Sequence, residues 1–164
     1  MTIEKLLNIF KLSDPIQSAN KLKYNAKSSI HDAFVEYWKN NISTNKGRLE
    51  FYSNCKHDFK LEEYLCIPSF EKRKAIAKLR CSDHALEIEK GRHKKIPREA
   101  RLCKLCTRGN IETEEHFLLE CTFYDDIRIK LNFDCANESI FAFDNTYKLG
   151  EYIMLALTKR GENL

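Results

Sequence analysis

Glycine and proline are scarce, five and three among 164 residues, so the chain has little material for flexible linkers or for the many tight turns of a sheet-rich fold. Long apolar runs are missing as well: the longest, YIMLAL at residues 152–157, falls far short of the roughly 20 residues that a bilayer span requires. No N-terminal apolar stretch resembles a signal peptide, and an odd number of cysteines, seven, would leave one unpaired in an oxidising compartment. These absences predict a mainly α-helical protein, nuclear or cytoplasmic and not secreted, with no membrane contact. Some cysteines then hold metal and the others sit in the core. A chain of this size, as one domain or two closely packed ones, buries most of its apolar surface unaided.

What is present is charge, and it is uneven. The formal net charge is only +4, yet residues 72–108 carry thirteen Lys/Arg against four Asp/Glu, which is +9 and leaves −5 elsewhere. A concentrated basic stretch suits phosphate-rich partners, RNA or DNA, through a non-specific electrostatic term. The plainer reading of a charge run is a solvated face.

Residues 2–12 place Ile3, Leu6, Leu7 and Phe10 at helical spacing, and Ser13-Asp14-Pro15 then reads as a break, a cap and a first-turn proline. The helix that follows is predicted to run to about residue 42, with a stripe of Leu22, Ala26, Ile30, Ala33, Phe34, Tyr37 and Trp38 wide enough for a core contact. One or two short helices are expected in 46–66. FEKRKAIAKLRC at 70–81 reads as a basic amphipathic helix, with Ala75, Ile76 and Leu79 on one side. Between 82 and 101 the pattern breaks at Gly91 and Pro97, which predicts extended or irregular chain and a basic arm from Arg92 to Arg98. Further helices are expected around His116, over 123–133 and over 146–159. This divides the chain into a helical region, 1–100, and a zinc-knuckle region with C-terminal helices, 101–164, packed as one unit.

The metal signal is the most specific in the sequence. Cys103-Lys104-Leu105-Cys106 is a C-x₂-C turn that offers two thiolates from one tight piece of backbone; His116 and Cys121 follow with nine and four residues between. All four donors fall within 19 residues, so the loops between them close cheaply. A thioredoxin-like dithiol would need a strand before it and a helix starting inside it, whereas a basic, proline-containing arm precedes this one and Thr107-Arg108-Gly109-Asn110 reads as a turn. One structural Zn²⁺ on Cys103, Cys106, His116 and Cys121 is therefore expected, with no vacant position for catalysis. Glu112, Glu114, Glu115 and Glu120 read as helix-dipole partners and counter-charges. Cys55, Cys66, Cys81 and Cys135 read as small core residues, and His84 as a hydrogen-bonded structural histidine or a group beside the metal or a nucleic acid.

KAIAKLRCSDHALEIEKGRHKKIPREARLCKLC followed by ETEEHFLLECTFYDDIR resembles the region beyond the polymerase in non-LTR retrotransposon reverse-transcriptase proteins. With LEFYSNCKHDFKLEEYLCIPSFEKRKAIAKLR upstream, the likeness covers roughly residues 49–128. The family pattern is matched in order by Arg80, His84, Glu89, Gly91, Arg92, Pro97 and Arg98, and then by the four zinc ligands. The resemblance implies a zinc-binding C-terminal module that follows the polymerase thumb and helps to hold template RNA or target DNA. No paired-aspartate polymerase motif and no endonuclease motif occurs, so the chain reads as a fragment of such an enzyme or a short gene derived from one, and not as an enzyme. The expected phosphate contacts are Lys72, Lys74, Lys78, Arg80, Arg92, Lys94, Lys95, Arg98 and Arg101, with no small-molecule substrate. The alternative is a zinc-stabilised protein-interaction domain.

Overall fold

The computed structural model describes residues 18–44, 47, 49–133 and 143–162. Among these the protein is mainly helical; the one β-type pairing is an isolated antiparallel bridge between Leu102 and Ile111. The predicted helix over 2–12 and Cys135 lie outside the described residues. The chain divides into two compact units, Met1–Asn45 and Lys46–Leu164, so the residues on either side of position 100 belong to one unit.

In the first unit the described chain is a single helix, α1 (Ser18–Thr44). Its sequence avoids proline and glycine, and its last turn is closed by Ser43 and Thr44 hydroxyls that donate to the Asn40 carbonyl. The apolar stripe does not reach a core among the described residues. Leu22, Ala26 and Trp38 are half-buried, while Ile30, Ala33, Phe34 and Tyr37 are exposed.

The second unit is built around two helices, α3 (Phe70–Arg80) and α6 (Phe143–Glu162), with α2 (Glu50–Cys55), α4 (Glu87–His93) and α5 (Asp125–Leu131) and several single turns. Helix α3 starts where Pro68 and the capping Ser69 direct it: the Ser69 hydroxyl accepts from the Lys72 amide. Its buried Ile76 and Leu79 face the core, as does the α6 stripe Leu149, Tyr152, Ile153 and Ala156, spaced three, four and seven residues apart. Complete burial of each such leucine or isoleucine contributes about 1.5–3 kcal/mol. The two helices approach closely at Gly150, where a Cβ would lie 2.6 Å from the Lys72 Cβ and 3.1 Å from its Cα. Between them and the metal-bearing segment sits an aromatic cluster. Phe117 and Tyr124 meet edge to face at 5.1 Å, and Phe133 stacks on Tyr152 at 5.1 Å.

The stretch expected to be irregular contains α4. Glu87 and Glu89 in its first turn and Lys90, Arg92 and His93 in its last suit the helix dipole. Gly91, read from sequence as a breaker, is instead a point of close approach: a Cβ there would fall 2.5 Å from the Arg101 side chain. The turn Arg98–Ala100 follows. No described helix is long and apolar enough to cross a membrane.

Candidate metal centre

Two pieces of chain bring the four donors together. The first is a tight hairpin from Arg101 to Glu112, closed by Cys103 N–H to the Asn110 carbonyl (2.9 Å) and Glu112 N–H to the Arg101 carbonyl (2.9 Å). Gly109, at φ +69°, turns the chain back between Cys106 and Ile111, a conformation that side chains resist. The second is a wide helical turn, His116–Glu120, whose closing bond runs from Cys121 N–H to the His116 carbonyl at 2.8 Å. This five-residue step, one longer than an α-helical turn, places the His116 ring and the Cys121 sulfur on one side of the chain.

The donor atoms Cys103 Sγ, Cys106 Sγ, His116 Nε2 and Cys121 Sγ all lie within 4.8 Å of one another. Cys103 Sγ to Cys121 Sγ is 3.8 Å, and Cys106 Sγ to His116 Nε2 is 3.4 Å. A tetrahedron with metal–sulfur bonds of ~2.3 Å and a metal–nitrogen bond of ~2.0–2.1 Å has sulfur–sulfur edges of ~3.8 Å and sulfur–nitrogen edges of ~3.5 Å. The cluster therefore has the size of a single coordination sphere, and it can hold one metal ion.

The surroundings fit that use. His116 Nδ1 lies 3.3 Å from a Glu120 carboxylate oxygen, which also accepts from the Asn110 side chain at 3.4 Å. Nδ1–H donating to a carboxylate leaves the Nε2 lone pair, on the side of the sulfurs, free to bind a metal, the usual way a metal-bound imidazole is oriented. Burial pushes the Cys121 thiol up to about 12, with the neighbouring sulfurs adding to the rise, and burial likewise raises Cys103. Amides oppose this: those of Leu105 and Cys106 address Cys103 and that of Phe123 addresses Cys121. The buried Cys103 and Cys121 thiols are thus costly to ionise until a cation is among them, and a bound metal ion would displace their protons.

The helices behind the centre hold its frame. Tyr152 Oη donates to the Phe117 carbonyl (2.6 Å), and Arg128 donates to the carbonyls of Leu118 (3.1 Å) and Cys121. Arg128 is steadied by Asp125 at 2.7 Å and the Tyr152 hydroxyl at 3.0 Å. On the other side, the buried Glu112 carboxylate pairs with both Arg160 amino nitrogens, accepts from the Glu87 amide at 2.7 Å, and lies 3.7 Å from Cys103 Sγ. None of Arg128, Tyr152, Arg160 and Glu87 stood out in the sequence as part of the site. Their partners are ten to 48 residues away for the most part, and an arginine on an amphipathic helix reads as solvated.

The glutamates resolve differently from the expectation of counter-charges for the basic arm. Glu112 serves Arg160, Glu120 serves His116 and Asn110, and only Glu115 among the four is both exposed and away from these partners. Glu114 accepts from Ser82 (3.2 Å) and from His84 Nε2 (2.9 Å); burial works to raise its carboxyl, but the His84 and Ser82 hydrogen bonds prevail and hold it below the usual range. His84 is thus a buried hydrogen-bonded histidine, its Nδ1 receiving the Leu86 amide at 3.4 Å. Cys66 and Cys81 are exposed and Cys55 is half-buried, so the first two are not the core residues expected. They occupy a turn end and a helix end, where the chain leaves the core.

The nine cationic residues separate into two groups. Arg80, 1% exposed, donates to Glu62 at 2.9 Å and lies over the Tyr52 and Tyr64 rings. Arg92 grips Glu89 with two nitrogens, Arg101 spans the carbonyls of Ile88 and Ile96, and Lys72 pairs with Glu151 at 3.0 Å over the Tyr147 ring. Arg98 pairs with Glu50 at 2.6 Å but stays half exposed. Lys74, Lys78, Lys94 and Lys95 are exposed, and of these Lys78 has a loose partner, Asp83, at 3.4 Å. No family model, curated protein or solved structure matches this chain.

Proposed function

We propose that Cys103, Cys106, His116 and Cys121 hold one structural Zn²⁺, and that the unit it organises is a non-catalytic nucleic-acid-binding module of the kind found after the polymerase in non-LTR retrotransposon reverse transcriptases. The convergence of four donors at tetrahedral spacing carries the metal half of the reading. Zinc is preferred because three thiolates and an imidazole in a closed tetrahedron suit a borderline-soft ion with no redox role. Four protein donors leave no position for water or substrate, so the ion serves folding. The phosphate half rests on charge: Lys74, Lys78, Lys94 and Lys95 are exposed, with Arg98 beside Glu50 as a further donor.

The test is elemental analysis for one zinc per chain, followed by binding of the loaded protein to short single-stranded and duplex RNA and DNA across a salt series. Micromolar binding that falls steeply with salt is expected. Replacing Lys74, Lys78, Lys94 and Lys95 together with alanine should flatten the duplex slope by about 3–4, near 0.9 for each phosphate no longer neutralised. Absence of binding at low salt would overturn the reading.

One observation favours the second reading, a zinc-stabilised protein-interaction domain. Much of the basic charge is consumed within the chain, by Glu62, Glu89, Glu151 and the backbone carbonyls that hold Arg101. The field available to phosphates is correspondingly smaller than the sequence implies.

A further inference from the structure

A phenylalanine on an amphipathic helix ordinarily turns inward, as Ile76 and Leu79 of α3 do. Phe70, the first residue of the same helix, is 62% exposed. Its ring is flanked by two cations, the Arg73 guanidinium and the Lys74 ammonium, each 5.9 Å from the ring centroid. Arg73 is held in that position, because Nη1 donates to the Ile67 and Pro68 carbonyls that precede the helix. Lys74 is exposed, and Lys78, one turn further on, is exposed beside Asp83. The remaining cations of α3 are turned to carboxylates, Lys72 to Glu151 and Arg80 to Glu62. The helix thus presents a largely exposed aromatic ring with two cations over it, and Glu71 is the one exposed carboxylate in its first turn.

We propose that Phe70, Arg73 and Lys74 form a stacking platform for single-stranded nucleic acid. An unpaired base lies on the Phe70 ring, and the phosphates on either side of it are met by Lys74 and Lys78. The inference rests on the nucleic-acid reading above and goes beyond it by naming the strand type and the residue that distinguishes it. Charge complementarity selects a polyanion, and the ring selects one whose flat faces are available. In a duplex those faces are already covered by neighbouring bases, whereas in a single strand they are open. An acidic protein surface would answer the cations but would leave a flat ring among them without use.

The experiment compares the zinc-loaded full chain with its variants, using fluorescein-labelled oligo(dT), oligo(rU) and a duplex DNA of equal length, by anisotropy over a salt series. Phe70→Ala is expected to weaken binding to both single strands by about 5- to 100-fold. Its salt slope should not change, because the ring carries no charge, and duplex affinity should stay within about twofold. Its melting temperature should match the wild type, since an exposed ring contributes little to the core. Phe70→Trp should restore single-strand binding, and Lys74→Ala should lower the single-strand slope by about 0.7. Wild-type affinity of Phe70→Ala for single strands would overturn the platform and leave the nucleic-acid reading standing. Equal loss on duplex and single strands would overturn the platform as well. If the wild type binds an acidic peptide and none of the oligonucleotides, both readings fall and the surface belongs to a protein partner.

Discussion

At His116 the metal reading and the folding reading can be separated by one carboxylate. Glu120 touches the ring nitrogen that faces away from the sulfurs, so it orients the imidazole without supplying a donor. Glu120→Ala is expected to lower metal affinity about 10- to 100-fold in a chelator competition while leaving one ion bound at saturation. Cys103→Ser or His116→Ala should instead abolish stoichiometric binding. Cys81→Ser, at an exposed thiol, should change neither. A metal content equally reduced by Cys81→Ser would mean that the ligand set is wrong. The ion pair between α5 and α6 is also testable at single residues. The Lys159 ammonium donates to Asp126 at 2.7 Å and holds that carboxyl below its ordinary range. A depressed folded-state pKa gives stability that is present above the unfolded value and is lost as pH falls through the folded one. Asp126→Asn should therefore lower the melting temperature slightly at neutral pH, with the difference from wild type closing as the solution is acidified; the pair is exposed, so the effect is small.

Among the elements, the crossing of α3 and α6 is the most sensitive to volume. A methyl group at Gly150 meets the Lys72 backbone and first side-chain carbon, neither of which can swing away. Gly150→Ala gains about 1 kcal/mol of helix propensity but costs about 1–3 kcal/mol of overpacking, so net destabilisation is expected in a denaturant titration. The bounds of α3 were legible because Pro68 and Ser69 start it and its apolar positions repeat at helical spacing. Helix α4 was not, since Gly91 and Pro97 signalled a break, and only the arginine side chain at position 101 explains why a glycine belongs inside that helix. The donor set was legible from local spacing alone, because a C-x₂-C turn and a nearby His and Cys need no tertiary information. The ties that hold those donors were not. Glu112 and Arg160 are 48 residues apart, and nothing in an amphipathic pattern says that two charges will be buried against each other.

For the whole second unit, the donor cluster and the aromatic core share one segment: Phe117 and Leu118 lie inside the turn that carries His116 and Cys121. Chelation is therefore expected to loosen more than the hairpin. Hydrogen exchange should quicken through residues 101–131 and along the face of α6 that carries Tyr152 and Arg160, with less change in α3. Uniform exchange in loaded and stripped protein would show the metal to be dispensable to the fold. Arg160→Met tests the link from the opposite end. It leaves the buried Glu112 carboxylate without its partner beside a sulfur donor, and should cost about 3–5 kcal/mol of stability and weaken metal retention together.

The position of Arg160 and Tyr152 in the chain gives synthesis a direction. All four donors have been made by residue 121 and Arg128, which holds the Cys121 carbonyl, follows soon after, but Tyr152, which holds the Phe117 carbonyl, and Arg160, which pairs with Glu112, are translated only later. During that interval a nascent chain would carry all three thiols on an incompletely braced loop, open to oxidation and to exchange of any bound ion. If the four donors take up a metal, the last turn of α6 is then expected to act as a latch in time as well as in space, with firm retention only after it has docked.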